Sequence, residues 1–529
     1  MLLKYQLDME QASLSDEGLS EYLWPYPLDH MLPFRNNFTE NLVTETRDMC
    51  GNNVEGSTGL LILLHHLFLD ALRLFYCVRV VEGFSSLGRR VAPPPRAYAL
   101  SAIADGKIPP PPDIYRILLS GPPRPKRWRA PFRLSRDYIV TEEITRRRIR
   151  DPDYKSEIVA ATISPLTEEH AKSINERVTF RRPHVWFNEP PKGVDSGDTP
   201  RCVDTVLDIL KTAFLHSGTA PPCWLDDYVS GWLGPGIAQV EAYLHNIESA
   251  PEYIPRHLWV GTGGDIWTRI LRYATRRNHG HVTAHDHGCG AGQFQGEFHM
   301  NILEFESCDR FISFTEAQAD GLRQHHLNPH FLIRDDAPVI ANVMHQKHPN
   351  RHRTRAVGDP KTIMVVSNFY LGDHIVPSAC ISDVAYCDFE ARLLAHLRDW
   401  GHKIIYKPRP LIGTRAPADF AARFDGREEN RPSETVLHNA DVLILPSPTS
   451  TSFATALASK VPSVFIDFGM ITHSNNARAA LEKCCAIVPA PHGPNNRIVI
   501  NWDLLQQAIT KAPSLDDDTY VSLFHGRVV

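Results

Sequence analysis

The chain has 529 residues, 43% of them hydrophobic and 22% charged, and a formal net charge of −5. This is the balance of an ordinary soluble globular protein, and the lack of a basic excess argues against nucleic acid as a partner. More than one domain is expected, because single hydrophobic cores stop growing near about 250–300 residues.

In chain order, Met1 to Glu10 shows neither a basic region followed by an apolar run nor a cleavage site, so no secretory leader is expected. The ten cysteines are scattered without a C-x-x-C pair, although Cys484 and Cys485 are adjacent. That usage points to reduced thiols and a cytoplasmic setting. Residues 1 to about 90 read as mainly helical. Leu60 to Val81 is the most apolar stretch, but it carries His65, His66, Asp70, Arg73 and Arg79, so a buried helix is expected rather than a membrane span. Residues 93–131 hold Pro93 to Pro95, Pro109 to Pro112, Pro122, Pro123, Pro125 and Pro131. Such density reads as extended segments or a linker without regular helix. Arg124, Lys126, Arg127 and Arg129 surround Trp128, and Arg146 to Arg148 follow. This 124–150 region reads as a solvated basic loop or as a peripheral contact with an anionic membrane or a phosphate-bearing acceptor.

From Ile158 to Phe331, strand-like and helix-like stretches alternate, which favours a parallel sheet with crossover helices. The central stretch is Val282-Thr-Ala-His-Asp-His-Gly-Cys-Gly-Ala-Gly-Gln293. A strand leads in, and Gly288, Gly290 and Gly292 suit a turn with positive φ and close approach to a ligand. Phe294, Phe298, Ile302 and Phe305 then recur at helical spacing, so a helix is expected to start directly after the turn and to offer its N-terminus to an anion. Asp286, flanked by His285 and His287, lies at the strand end, where open α/β sheets place their chemistry. Asp286 is the candidate base or nucleophile. His285 and His287 are candidate proton carriers, with Glu297 or Glu304 to orient them.

Residues 345–360 read as an interdomain linker, and a second α/β unit follows. Its polar residues Asn368, Lys407, Arg409 and Ser447 to Ser452 fall just after expected strands and would meet on one sheet edge. Lys407 and Arg409 supply positive charge, while Ser447, Thr449, Ser450, Thr451 and Ser452 can cap a helix or bind phosphate.

Residues 441–467, a strand, a Ser/Thr cluster, a helix and then Lys460-Val-Pro-Ser-Val-Phe-Ile-Asp467, resemble the nucleotide-sugar segment of GT-B glycosyltransferases. His287 to Gly292, Glu297-Phe-His299, Glu304 and Cys308 to Ser313 are similar to transferases of bacterial capsule and O-antigen assembly, in the style of enzymes that use CMP-Kdo. Thr455 stands where many GT-B enzymes carry a donor-binding glutamate. The resemblance implies two Rossmann-like domains facing across a cleft, with the donor nucleotide on the second. It implies a glycan or glycolipid acceptor and no cofactor beyond the nucleotide-sugar. No metal is expected, since no Asp-x-Asp element follows a strand at a donor position. The competing readings are a metal-dependent hydrolase using His279, His281, His285, Asp286 and His287, and a GT-B-fold epimerase or polyol-phosphate transferase. The expected division is 1–150 helical and proline-rich, 151–350 acceptor and catalytic, 360–500 nucleotide-binding, and 501–529 a tail packing back.

Overall fold

The computed structural model describes residues 3–6, 31–52, 54, 56–92, 98–121, 158–174, 178–187, 199–288, 290–295, 299–325, 327, 332–333, 337–343, 360–367, 370, 381, 383–408, 416, 419–515 and 517–524. Two strands, β1 (Leu3–Gln6) and β2 (Arg89–Ala92), form a small parallel pair. Six more build the first large sheet: β3 (Ile158–Ala160), β4 (Val178–Phe180), β5 (His257–Val260), β6 (His281–His285), β7 (Arg310–Ser313) and β8 (Val339–Asn342). The second holds β9 (Thr362–Val366), β10 (Lys403–Lys407), β11 (Arg427–Glu428), β12 (Val442–Leu445), β13 (Ser463–Asp467) and β14 (Ala486–Pro489).

Both large sheets are wholly parallel, in the orders β4-β3-β5-β6-β7-β8 and β11-β10-β9-β12-β13-β14. The chain reverses direction across each sheet once, at β3/β5 and at β9/β12. Open α/β sheets bind ligands at such points, outside the carboxyl ends of the strands. Burial explains why the strands were legible. Val442 to Leu445 are buried throughout, as central strands covered on both faces must be. The expected fold is therefore present: two Rossmann-like domains, GT-B-like, with an added helical region.

That region differs from the expectation in two ways. Helices Met31–Gly51 and Ser57–Ser86 pack against Thr199–His216 and Leu225–Glu248, which lie between β4 and β5. One helical layer thus draws on both sides of residue 150. Arg269, fully buried, fastens it by donating to the carbonyls of Leu61, Ile62, Ile302 and Leu303. Within the proline-rich stretch, two short helices form, Tyr98–Ala104 and Asp113–Ser120. Pro109 to Pro112 sit between them, and Pro112 stands at the N-cap of the second, where a missing N–H costs nothing. Ser57–Ser86 is long and apolar enough to cross a membrane, yet 72% of its most apolar window is buried inside the protein. The 124–150 region and most of the expected linker lie outside the described residues. Of the tail, Trp502–Lys511 packs on β13 and β14, with Trp502 stacked on His396 at 3.9 Å. The next helix, Thr519–Phe524, reaches the first domain, where the Thr315 hydroxyl donates to the Leu523 carbonyl.

Candidate active site

The turn after β6 is built differently from its sequence pattern. Residues 291–295 are turn and bridge, and the described helix is short, His299–Leu303. Among the described residues none of 290–295 is helical, so no helix begins directly after the glycines to offer its N-terminus to an anion there. Phe294 interrupted the helical period because its backbone pairs with His473 of the second domain. Gly292 has the anticipated positive φ, 77°. Its close approach is to protein, not ligand: a Cβ there would lie 2.2 Å from the Gln318 carbonyl oxygen. Gly288 faces open space, and Gly290 is roomy.

Asp286 is 6% exposed and sits at the end of β6, its amide donating to the Ile312 carbonyl. Its Oδ1 accepts from the Gly288 amide at 2.9 Å. Its Oδ2 is buried and has no hydrogen-bond partner among the described residues. Burial pushes this carboxyl above the usual range. The nearby His287 and the amides of Gly288 and Ala291 pull it down, and Glu304 pushes it up again. A buried carboxylate with one free oxygen and a raised pKa is a stronger base than an ordinary surface carboxylate and suits a general base.

His285 takes another role. It is fully buried, with Nδ1 3.1 Å from the Val260 carbonyl and Nε2 2.9 Å from Nδ1 of His170. The carbonyl requires Nδ1–H on His285, so the inferred pattern has His170 donating to Nε2. Burial lowers His285 to about 3 and His170 to about 4, so both rings stay neutral. His285 is thus corrected from proton carrier to positioning residue, and the exposed His287 remains beside Asp286. Histidine-ring NMR is expected to show both buried rings neutral at pH 5. A neutral native histidine also costs stability as pH falls through 6.5, because the unfolded ring takes the proton. Protonated rings at pH 5 would contradict the pairing.

The histidines that suggested a metal do not converge. His281 and His285 stand at opposite ends of β6, about 13 Å apart at ~3.3 Å per residue. His279 precedes the strand, in a left-handed conformation with φ 57°. Among the described residues, no group of three His, Cys, Asp or Glu is placed to hold a metal ion.

In the second domain, Lys407 ends β10 at 2% exposure, its Nζ 3.3 Å from the Pro408 carbonyl. After β12, Ser447 and Thr449 place their hydroxyls 3.4 Å apart. Ser450 caps the helix Thr451–Ala458 by accepting from the Phe453 amide, so its oxygen is partly committed. Ser452 is half-buried on the first turn. Asn368, Arg409, Glu297 and the side chain of Thr451 lie outside the described residues.

Sequence reasoning missed a buried polar cluster beneath this edge. Glu390, on helix Asp383–Asp399, accepts from Tyr406 at 2.7 Å and Tyr370 at 2.9 Å, with Ser367 and Tyr386 also acting on its charge. Tyr406 belongs to β10 and Ser367 follows β9, so the cluster braces the ends of those two strands, including the one that carries Lys407. The available signal was a glutamate on a helix whose neighbours are apolar. Burial raises Glu390 to about 7. A raised carboxyl favours folding fully below its unfolded value near about 4.5, and this contribution is lost as pH rises through about 7. Glu390→Gln is therefore expected to gain stability on the wild type between pH 5 and 8, by on the order of 3 kcal/mol, in urea unfolding. A pH-independent difference would contradict this.

In the first domain Glu304, expected to orient the histidines, engages the loop after β5 instead. Glu304 accepts from the Gly263 amide at 2.7 Å and pairs with buried Arg272 at 2.9 Å, which fixes the loop after β5 beside Asp286. The two half-sites then meet: a Cβ on Gly290 would lie 4.0 Å from the Thr449 carbonyl oxygen. The turn that follows Asp286 thus approaches the backbone of the Ser447–Ser452 loop of the other domain.

No family model and no curated protein matches the sequence. Among solved structures, the chain is similar to MurG of Acinetobacter baumannii, at 11% identity and a TM-score of 0.33, over 70% of this chain and 98% of that one. At that level the likeness carries no argument about chemistry, and the two-domain fold stands on its strand order.

Proposed function

We propose that the protein is a GT-B-type glycosyltransferase that moves a sugar from a nucleotide-activated donor to a glycan or glycolipid acceptor. The single observation that supports the reading is the approach of Gly290 to the Thr449 backbone, which brings the turn after the buried Asp286 to the loop that carries the hydroxyls. The donor nucleotide lies on the second domain, its phosphate near Ser447, Thr449 and Lys407. Asp286 takes the proton of the acceptor hydroxyl as its oxygen bonds to the anomeric carbon. The bond from that carbon to the phosphate oxygen breaks, and the nucleotide leaves with the electron pair. The charge that develops there is offset by Lys407 and the hydroxyls. A CMP-Kdo-like donor and a bacterial surface polysaccharide are the finer form of the proposal, supported by the motif resemblance at 287–313 and 441–467. Incubation with CMP-, UDP- and GDP-sugars, with and without glycan acceptors, tests it. Acceptor-dependent nucleotide release is expected from one donor class. No release and no binding with any of the three would overturn it.

A further inference from the structure

Residues 293–295 of the first domain and 472–474 of the second run side by side as a short antiparallel pair. The Ser474 amide donates to the Gln293 carbonyl and the Gln295 amide to the Thr472 carbonyl, each at 2.8 Å. Between these bonds Phe294 faces His473, their rings 4.9 Å apart. The Tyr520 hydroxyl donates to Gln293 Oε1, and Gln293, Phe294 and Tyr520 are all fully buried. Gly292, the residue just before the pair, is pressed from the other side against the helix Glu316–His325. A Cβ on Gly321 would lie 2.0 Å from the Gly292 carbonyl oxygen. The turn that carries Asp286 is therefore held between a helix of its own domain and the loop after β13 of the other.

We propose that this junction is a fixed interdomain clamp, in which Gln293, Phe294, His473 and Tyr520 are positioning residues that hold the Asp286 turn in register with the hydroxyl loop. The inference rests on the reading of those two groups as halves of one transferase site. Rigid-body opening would unpair two backbone bonds, separate a buried amide from a buried phenol and wet a fully buried phenylalanine. Unpaired buried groups carry their full desolvation penalty, so the clamp stays shut through turnover. Substrates then enter through the side of the gap, past the open space at Gly288.

Two measurements test it. In ligand-free protein the Gln295 and Ser474 amides are expected to exchange with deuterium at least about 100-fold more slowly than exposed loop amides. Exchange at the exposed rate overturns the clamp, whether or not the protein transfers sugar. The second is a Phe294→Cys/His473→Cys double variant. A pair flanked by outward bonds holds its Cα atoms about 4.5 Å apart, within disulfide reach. The oxidised, cross-linked protein is expected to release nucleotide at no less than about a third of the rate of its reduced form. A larger loss that dithiothreitol restores shows that the domains must part, and overturns the proposal.

Discussion

Asp286→Asn is expected to cut glycosyl transfer by about 10²–10⁴-fold, the usual worth of a positioned general base. The fold should survive the change. Asparagine has the same shape, and its amide oxygen can still accept from the Gly288 amide. Stability gives a second readout with a definite sign. The native carboxyl has a raised pKa, so its contribution is complete at low pH and is lost as pH rises through the native value. Asparagine cannot ionise, so the melting temperature of the variant should gain on the wild type as pH rises above the ordinary carboxylate range, in calorimetry. A residue that merely capped the turn would behave otherwise. Its loss would lower stability and activity together. Full activity in the variant would remove Asp286 from the chemistry.

Gly292→Ala is expected to cost at least about 3 kcal/mol of stability and to lower the melting temperature by about 6–12 °C. Two effects add. The residue adopts φ 77°, which strains any residue with a Cβ, and that Cβ would meet the Gln318 carbonyl oxygen at 2.2 Å. Neither partner can yield, because both are backbone. Gly290→Ala is the control two residues away. Its Cβ would meet only ordinary contacts at 3.9 and 4.0 Å, so its melting temperature should stay within about 2 °C of the wild type. Equal effects at the two positions would contradict the assignment of Gly292 to packing and Gly290 to the gap.

These two glycines also show where the sequence could be read and where it could not. Strands such as Val442–Leu445 and Ser463–Asp467 are runs of buried apolar residues, and the residues just past them had to lie on one sheet edge. That reasoning placed Lys407, Ser447 and Asp286 at or just past the ends of their strands, where the structure has them. It could not find what depends on distant parts of the chain. Gly292 looked like a ligand-binding glycine because its partner, Gly321, lies in a helix well along the chain. Phe294 looked helical because its true neighbour, His473, belongs to the other domain. His285 looked reactive because the ring that occupies its Nε2, His170, lies 115 positions earlier. The short strands β4, β8 and β14 carried too little pattern to be seen, and strand order follows from pairing that no local window records.

The most direct measurement is a crystal structure of the protein soaked with the nucleotide-sugar whose nucleotide it releases. The donor phosphate should lie within hydrogen-bond distance of the Ser447–Thr449 hydroxyls, with the sugar between that loop and Asp286 Oδ2. A donor bound on one domain with its sugar pointing away from Asp286, or bound on an outer face of either sheet, would contradict a shared interdomain site.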